Sequence, residues 1–258
     1  MSPAPMRPEG EAPDFWTPLR TATRSRIGLG RAGDALPTAQ VLALRSAHAV
    51  ARDAVHLPWG ADAIERGLRD LGLEVLRVAS QAPDRATYLR RPDLGRRPAD
   101  LSAVPEAGGA GPDVGIVLAD GLSAKAHDDH AVPMVAALLD RFRRAELRVA
   151  PVVLAEQARV GIGDHIGERL GVRTLIVLVG ERPGLSVADS LGAYLTHEPR
   201  AGRRDSERNC VSNIHPPDGL GYDRAADVLL GLVRGARELG ASGVALKDRS
   251  PAGGEIGP

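Results

Sequence analysis

Two residues of this chain stand where side-chain chemistry could be done. Glu181 sits in the turn Gly180-Glu181-Arg182-Pro183-Gly184, and Cys210, the only cysteine, lies further along in ERNCVSNI. The run Leu175–Val179 just before the turn is too short to span a membrane and too β-branched for a comfortable helix, so it reads as a buried strand. Ligands of open α/β sheets bind beyond the carboxyl ends of the strands. A carboxylate held there by two glycines and a proline can accept hydrogen bonds from a ligand. The competing reading is a surface ion pair with Arg182, which is worth little. Cys210 read alone is a small buried hydrophobe, as most free cysteines are. Val160 follows another strand in the loop Ala158-Arg159-Val160-Gly161, where Gly161 and Gly163 would let backbone come close to a ligand. Asp120 ends a third strand and reads equally well as a ligand contact or as the cap of the next helix. Ser212 and Asn213 read as auxiliaries of the site or as turn residues before Pro216-Pro217.

These residues need a scaffold, and the periodicity supplies one. Strands are predicted at Leu73–Val78, Val114–Ala119, Arg148–Leu154, 174–179, Ala193–Thr196 and Gly243–Leu246. Pro151 would confine the third of these to a sheet edge or a bulge. Helices are predicted at 37–56, 62–71, 133–146, a short stretch around Asp164 that this residue caps and Gly171 ends, and 222–239, which Gly240 stops. Alternating strands and helices imply a three-layer, Rossmann-like α/β domain with a mainly parallel sheet, preceded by a helical N-terminal arm. The domain reading is a flexible tail over 1–25, the arm over 26–57 and the α/β domain over 58–258. In the tail, Phe15 and Trp16 are the only bulky residues.

Composition removes several function classes. Lysine plus arginine equals aspartate plus glutamate at 33 each, and aromatic residues make up 3 %. That balance lacks the basic footprint and the stacking platforms of a nucleic-acid binder. One cysteine excludes an internal disulfide framework and a multi-cysteine zinc site. No apolar run approaches the roughly 20 residues of a spanning helix, and the N-terminus has prolines and acids where a signal peptide needs an apolar core. The expectation is a soluble cytoplasmic protein without membrane or nucleic-acid partners. Gly28-Leu29-Gly30-Arg31-Ala32-Gly33 has the letters of the dinucleotide fingerprint, yet no strand precedes it and no helix opens inside it, so it reads as a connector. His130, His165 and His215 show no i, i+4 spacing and no adjoining cysteine or carboxylate cluster of ligand type, so no metal site is expected. The arginine pairs Arg90-Arg91 and Arg96-Arg97 read as a solvated face or a subunit contact. From residues alone, a self-sufficient nucleotide-binding enzyme and a non-catalytic interaction module both remain open.

A resemblance narrows this. RIGLGRAGDALPT, YLRRPDLGRRP, DVGIVLADGLSA, ARVGIGDHIGERLG, GERPGLSVADSLGAYLT, ERNCVSNI and SGVALKD occur in this order over residues 26–248. Together they resemble the signature segments of the small (light) subunit of ethanolamine ammonia-lyase. The resemblance implies a chain that assembles with a large subunit, six copies of each, the large subunit carrying the substrate site in a (β/α)₈ barrel. It implies adenosylcobalamin between the two chains and conversion of ethanolamine to acetaldehyde and ammonia. It places cofactor contacts at Val160, Glu181 and Cys210, makes Cys210 a packing contact and not a nucleophile, and assigns no catalytic residue to this chain. The Asp-x-His-x-x-Gly pattern of proteins whose histidine binds cobalt begins at Asp128 but breaks at Pro133, and the resemblance implies a base-on cofactor with no protein ligand to cobalt. Packaging into a bacterial microcompartment stays open.

Overall fold

The computed structural model describes residues 14–109 and 111–249. Two compact units divide at Val50. The described part of the first holds α1 (Trp16–Ala22) and the start of α2 (Thr38–His56). The tail expected over 1–25 lies outside the described residues up to 13, and its remainder contains α1. Gly28, Gly30 and Gly33 all adopt positive φ. They form an irregular connector, and the next helix opens only at Thr38, as the nucleotide-free reading of that glycine run requires. On α2, Leu42, Leu44 and Val50 stay exposed.

The second unit is built on six strands: β1 (Val75–Ala79), β2 (Val114–Ala119), β3 (Val152–Glu156), β4 (Thr174–Gly180), β5 (Leu191–His197) and β6 (Arg208–Ile214). Their order is β1-β3-β2-β4-β5-β6. The first four run parallel, and β5 is antiparallel to both β4 and β6. The helices are α3 (Ala61–Asp70), α4 (Arg85–Arg90), α5 (Ala124–Arg144), α6 (Ile162–Leu170) and α7 (Tyr222–Leu239). Strand alternation gives two cores. Ile116, Leu118, Leu154, Ile176, Leu178, Ala193 and Leu195 meet α3, α5 and α7 on one face. Val117, Val153, Leu175, Val177 and Val179 meet Ile162, Ile166 and Leu170 of α6 on the other. Each fully buried aliphatic side chain contributes about 1.5–3 kcal/mol, so a sheet covered on both faces is what these apolar runs demand.

Several expectations change. Segment 243–246 is not a strand. Asn209 takes up its backbone groups instead, accepting from the Gly243 N–H (2.7 Å) and donating to the carbonyls of Gly243 and Leu246 (3.2 and 3.0 Å). A strand unforeseen in the sequence, β6, occupies 208–214. One of its faces is not covered by a helix, so it carries polar residues and no continuous apolar run. Pro151 does not mark an edge, because β3 lies between β1 and β2. It does stand at a bulge: Val149 bridges Val114 and Val153 pairs with Val117, so four steps on this segment oppose three on β2. The Ala150 N–H bonds Val114 O and the Val152 N–H bonds Glu74 O. The proline stands where the chain changes ladder partner, and its missing N–H leaves nothing unpaired. Helix α5 starts well before the expected 133, capped by Ser123, whose Oγ accepts from the Ala126 N–H at 3.3 Å. Pro133 lies inside it.

The end of β4 is tightly specified. A methyl group on Gly180 would press on the Ser123 carbonyl carbon and the Asp120 carbonyl oxygen, each at 2.8 Å. Gly180→Ala is therefore expected to destabilise the chain by about 1–3 kcal/mol through overpacking against backbone. Urea unfolding checks this, and a loss near zero would mean that the junction is loose.

Candidate functional site

Glu181 lies directly beyond β4, in the loop that returns as β5. Its N–H bonds Ser190 O at 3.0 Å. Its Oε2 accepts from Ser190 Oγ (2.7 Å) and from the Asn213 N–H (3.2 Å). The carboxylate is thus not the partner of Arg182 that the competing reading supposed; both of these donors come from other segments. Asn213 reaches it because its backbone is left-handed, φ 63°, a conformation asparagine tolerates better than most residues. His215 Nε2 and Asn213 Oδ1, 2.8 Å apart, hold that side chain.

The direction of the glutamate follows from Gly192. On β5, Leu191, Ala193 and Leu195 face the α5–α7 core, so Gly192, Tyr194 and Thr196 face the opposite side. A Cβ at Gly192 would lie 2.9 Å from Glu181 Oε1. The carboxylate therefore folds over Gly192, onto the same face as Tyr194. Cys210 is the ladder partner of Tyr194 and shares that face. It is exposed, not the small buried hydrophobe of the isolated reading. Desolvation on the sheet pushes the thiol pKa up, and the Glu181 carboxylate adds to the rise. The sulfur stays protonated, which suits a packing contact and not a nucleophile. Tyr194 is pushed up to about 12, first by burial and then by the thiol beside it and Glu181.

Val160 reaches this face from the loop between β3 and α6. It is half-buried and packs, as Tyr194 does, against the α6-side core. Its loop is fixed from several directions. Asp120 Oδ1 accepts the Ala158 N–H at 2.8 Å, and Tyr88 Oη donates to Ala158 O at 3.3 Å. The Arg159 N–H bonds Gly95 O at 2.8 Å. The Arg85 and Arg159 guanidinium carbons stand 4.7 and 4.5 Å from the Tyr88 ring centre. Asp120 thus neither caps α5 nor points to a ligand. It positions the Val160 loop, with Arg85 3.5 Å from its other oxygen.

Asp164 also has a different role from the expected cap. It lies buried in the first turn of α6 and binds Arg208 of β6 in a fork, at 2.6 and 2.7 Å. Arg208 also donates to Thr196 Oγ1 at 2.8 Å. The pair is almost completely buried and ties the α6 start, just after Val160, to the strand carrying Cys210. Nothing local in either segment signals this long-range pair.

Folding also places Asp129, His130 and Asp189 together, their ligand-type atoms within 4.8 Å of one another. The expectation that no carboxylate cluster adjoins the histidines is corrected for His130. The chain supplies its own cation: Lys125 pairs with Asp129 and, at 3.1 Å, with Asp189. His130 Nδ1 is 2.8 Å from the Tyr222 hydroxyl. Together with Ser123 Oγ donating to Ala188 O at 2.8 Å, the cluster staples the 181–190 loop to the start of α5. Within the arginine pairs, Arg91 binds the local Asp93 at 2.8 Å, and Arg96 reaches the distant Asp205 at 2.9 Å. Among the described residues, no helix is long and apolar enough to cross a membrane.

The geometry brings Val160, Glu181 and Cys210 to one side of the sheet, where α6 packs on β4 and β2 while α7 packs on β5 and β6 from the opposite side. This is an α/β domain with one edge carboxylate beside the partly accessible, neutral Tyr194 and Cys210, a class suited to holding a ligand. Comparison with known proteins gives the family. The ethanolamine ammonia-lyase light-chain model matches residues 13–247. The chain is 56 % identical over 247 residues to an ethanolamine ammonia-lyase small subunit of Rhodococcus erythropolis, covering 95 % of each. A small subunit of Azotobacter vinelandii is 52 % identical over 91 % of this chain and 88 % of its own length. One of Ralstonia nicotianae is 48 % identical over 90 % and 88 %. The chain belongs to the ethanolamine ammonia-lyase light-chain family, and is thus a subunit of a carbon–nitrogen lyase.

Proposed function

We propose that this chain holds one side of adenosylcobalamin against the large subunit of ethanolamine ammonia-lyase, with Val160, Glu181 and Cys210 as cofactor contacts. The observation that carries the reading is the placement of Glu181 over Gly192, beside the half-buried Tyr194 and the exposed Cys210, on the face of β5 and β6 opposite α7. The donor set fits the group. A corrin ring is broad, largely apolar and fringed with carboxamides, and a carboxylate at the edge of a neutral strip can accept from their N–H groups. When bound, the cofactor supplies the adenosyl radical that takes a hydrogen from the substrate.

This chain's residues bind and orient. Ser190 and Asn213 fix Glu181, Asp120 and Tyr88 fix the Val160 loop, and Arg208 with Asp164 sets β6 against α6. Such prepaid order matters because small displacements of reacting groups are costly. No side chain here is assigned as acid, base, nucleophile or cobalt ligand. The cofactor is base-on in this reading, consistent with the broken histidine pattern at Pro133 and with the Tyr222 hydroxyl on His130. The assembly is six copies of each chain, acting in the cytoplasm.

The test is cobalamin retention by the co-expressed pair of subunits, read by absorbance titration with hydroxocobalamin. Glu181→Ala and Cys210→Ala are each expected to weaken binding about tenfold, equivalent to about 1.4 kcal/mol, while the pair still assembles. Unchanged retention in both variants would place the cofactor elsewhere.

A further inference from the structure

The second unit has five aromatic side chains among its described residues: Trp59, Tyr88, Phe142, Tyr194 and Tyr222. Four have evident structural partners. Trp59 packs on the α5-side core and meets His127 edge-on at 5.6 Å. Tyr88 is buried between two guanidinium groups. Phe142 is fully buried, and the Tyr222 hydroxyl engages His130. Tyr194 differs. Half-buried like Trp59 and Tyr222, it stands in the middle of β5 with one side on the α6-side core, on the face that α7 does not cover.

Its nearest neighbours along and across the strands are small or neutral. Along β5 it lies between Gly192 and Thr196, two residues away on each side, and across the ladders it meets Val177 and Cys210. Gly192 has no side chain to cover one edge of the ring, and the Glu181 carboxylate lies over that glycine. A large aromatic left partly open between buried neighbours, beside the exposed Cys210, is the kind of surface that binding partners cover.

We infer that Tyr194 is a further cofactor-contact residue, its ring forming the floor of the cobalamin face between Glu181 and Cys210. This rests on the cobalamin reading above. The ring supplies flat apolar area to the macrocycle, and the hydroxyl, kept neutral by its surroundings, is available to a carboxamide of the fringe as donor or acceptor. Glu181 then marks the edge of the face, Tyr194 its centre and Cys210 the adjoining strand.

The experiment uses the complex of both subunits and hydroxocobalamin as the probe. Tyr194→Ala, Tyr194→Leu and Tyr194→Phe are titrated beside Glu181→Ala, with thermal midpoints recorded for each. The expected result is at least tenfold weaker binding for the alanine and leucine variants and less than threefold for phenylalanine, since the ring provides most of the contact. With adenosylcobalamin, the alanine variant should raise the KM for cofactor more than it lowers kcat, which a purely structural role would not do. If Tyr194→Ala and Tyr194→Leu bind as tightly as the unaltered complex while Glu181→Ala is weak, Tyr194 is no contact and the cobalamin face stands. If all of them bind normally, the face itself is wrongly assigned. Should the alanine chain fail to assemble, the leucine variant, which retains bulk against Val177, decides the case.

Discussion

Asp164→Ala will lower the stability of the full chain by about 3–5 kcal/mol, the cost of leaving one member of a buried ion pair uncompensated. The side chains of Asp164 and Arg208 are only 4 % and 2 % exposed. Removing the carboxylate leaves the guanidinium with Thr196 Oγ1, the Arg203 carbonyl at 3.3 Å and the largely exposed Asp205 at 3.4 Å. None replaces a bidentate charge at 2.6–2.7 Å. Urea unfolding measures the loss. Asp164→Leu combined with Arg208→Met should recover much of it, because exchanging both partners for apolar groups removes the stranded charge. The subunit complex of the double variant should nonetheless retain cobalamin less well, since the fork holds β6 in register with the α6 start. A cost below 1 kcal/mol for Asp164→Ala would show that the pair contributes little.

The second large effect concerns pH. Burial pushes Asp120 up to about 6, and burial pushes His127 down to about 4. The two shifts act in opposite directions over nearly the same window. Native Asp120 holds its proton more tightly than the unfolded chain, so its contribution is fully present below the ordinary carboxylate value of 3.8 and is lost as pH rises through about 6. Native His127 resists protonation, so its contribution is present above its ordinary value of 6.5 and is lost as pH falls toward 4. At 1.36 kcal/mol per pKa unit each amounts to about 3 kcal/mol, and between pH 4 and 6.5 they largely cancel. Asp120→Asn, whose Oδ1 can still accept the Ala158 N–H, removes one side of the balance. The stability difference between wild type and this variant should shift by about 3 kcal/mol between pH 7.5 and pH 4, in favour of wild type at the acid end. His127→Gln should shift the same difference by a similar amount in the opposite direction. Denaturant titrations at the two pH values decide it, and parallel profiles for wild type and Asp120→Asn would refute the assignment of Asp120.

Much of the scaffold was legible because its signals are local. The runs 114–119 and 174–179 are buried on both faces and therefore apolar throughout, while the face of 222–239 repeats at helical spacing and ends at Gly240. Strand β6 escaped because ERNCVSNI is covered on one side only, so its alternation is interrupted by residues that suit an open face. The 243–246 segment looked like a strand because Val244 and Leu246 are apolar. Its hydrogen bonds go to the side chain of Asn209, a partner no local pattern reveals.

The same division runs through the site. The order of residue types alone determined the α/β class, the turn that holds Glu181 at a strand end, and the family resemblance that singles out Val160, Glu181 and Cys210. Only the tertiary structure decided that Asp120 and Asp164 serve as braces, that a lysine sits among Asp129, His130 and Asp189, and that Tyr194 shares the face of the three proposed contacts. Turns and periodic faces follow from the dihedral and burial preferences of neighbouring residues, which a sequence displays directly. Braces and shared faces depend on ladder register and on which sheet face a helix leaves open, and these are set by packing between segments far apart in the chain.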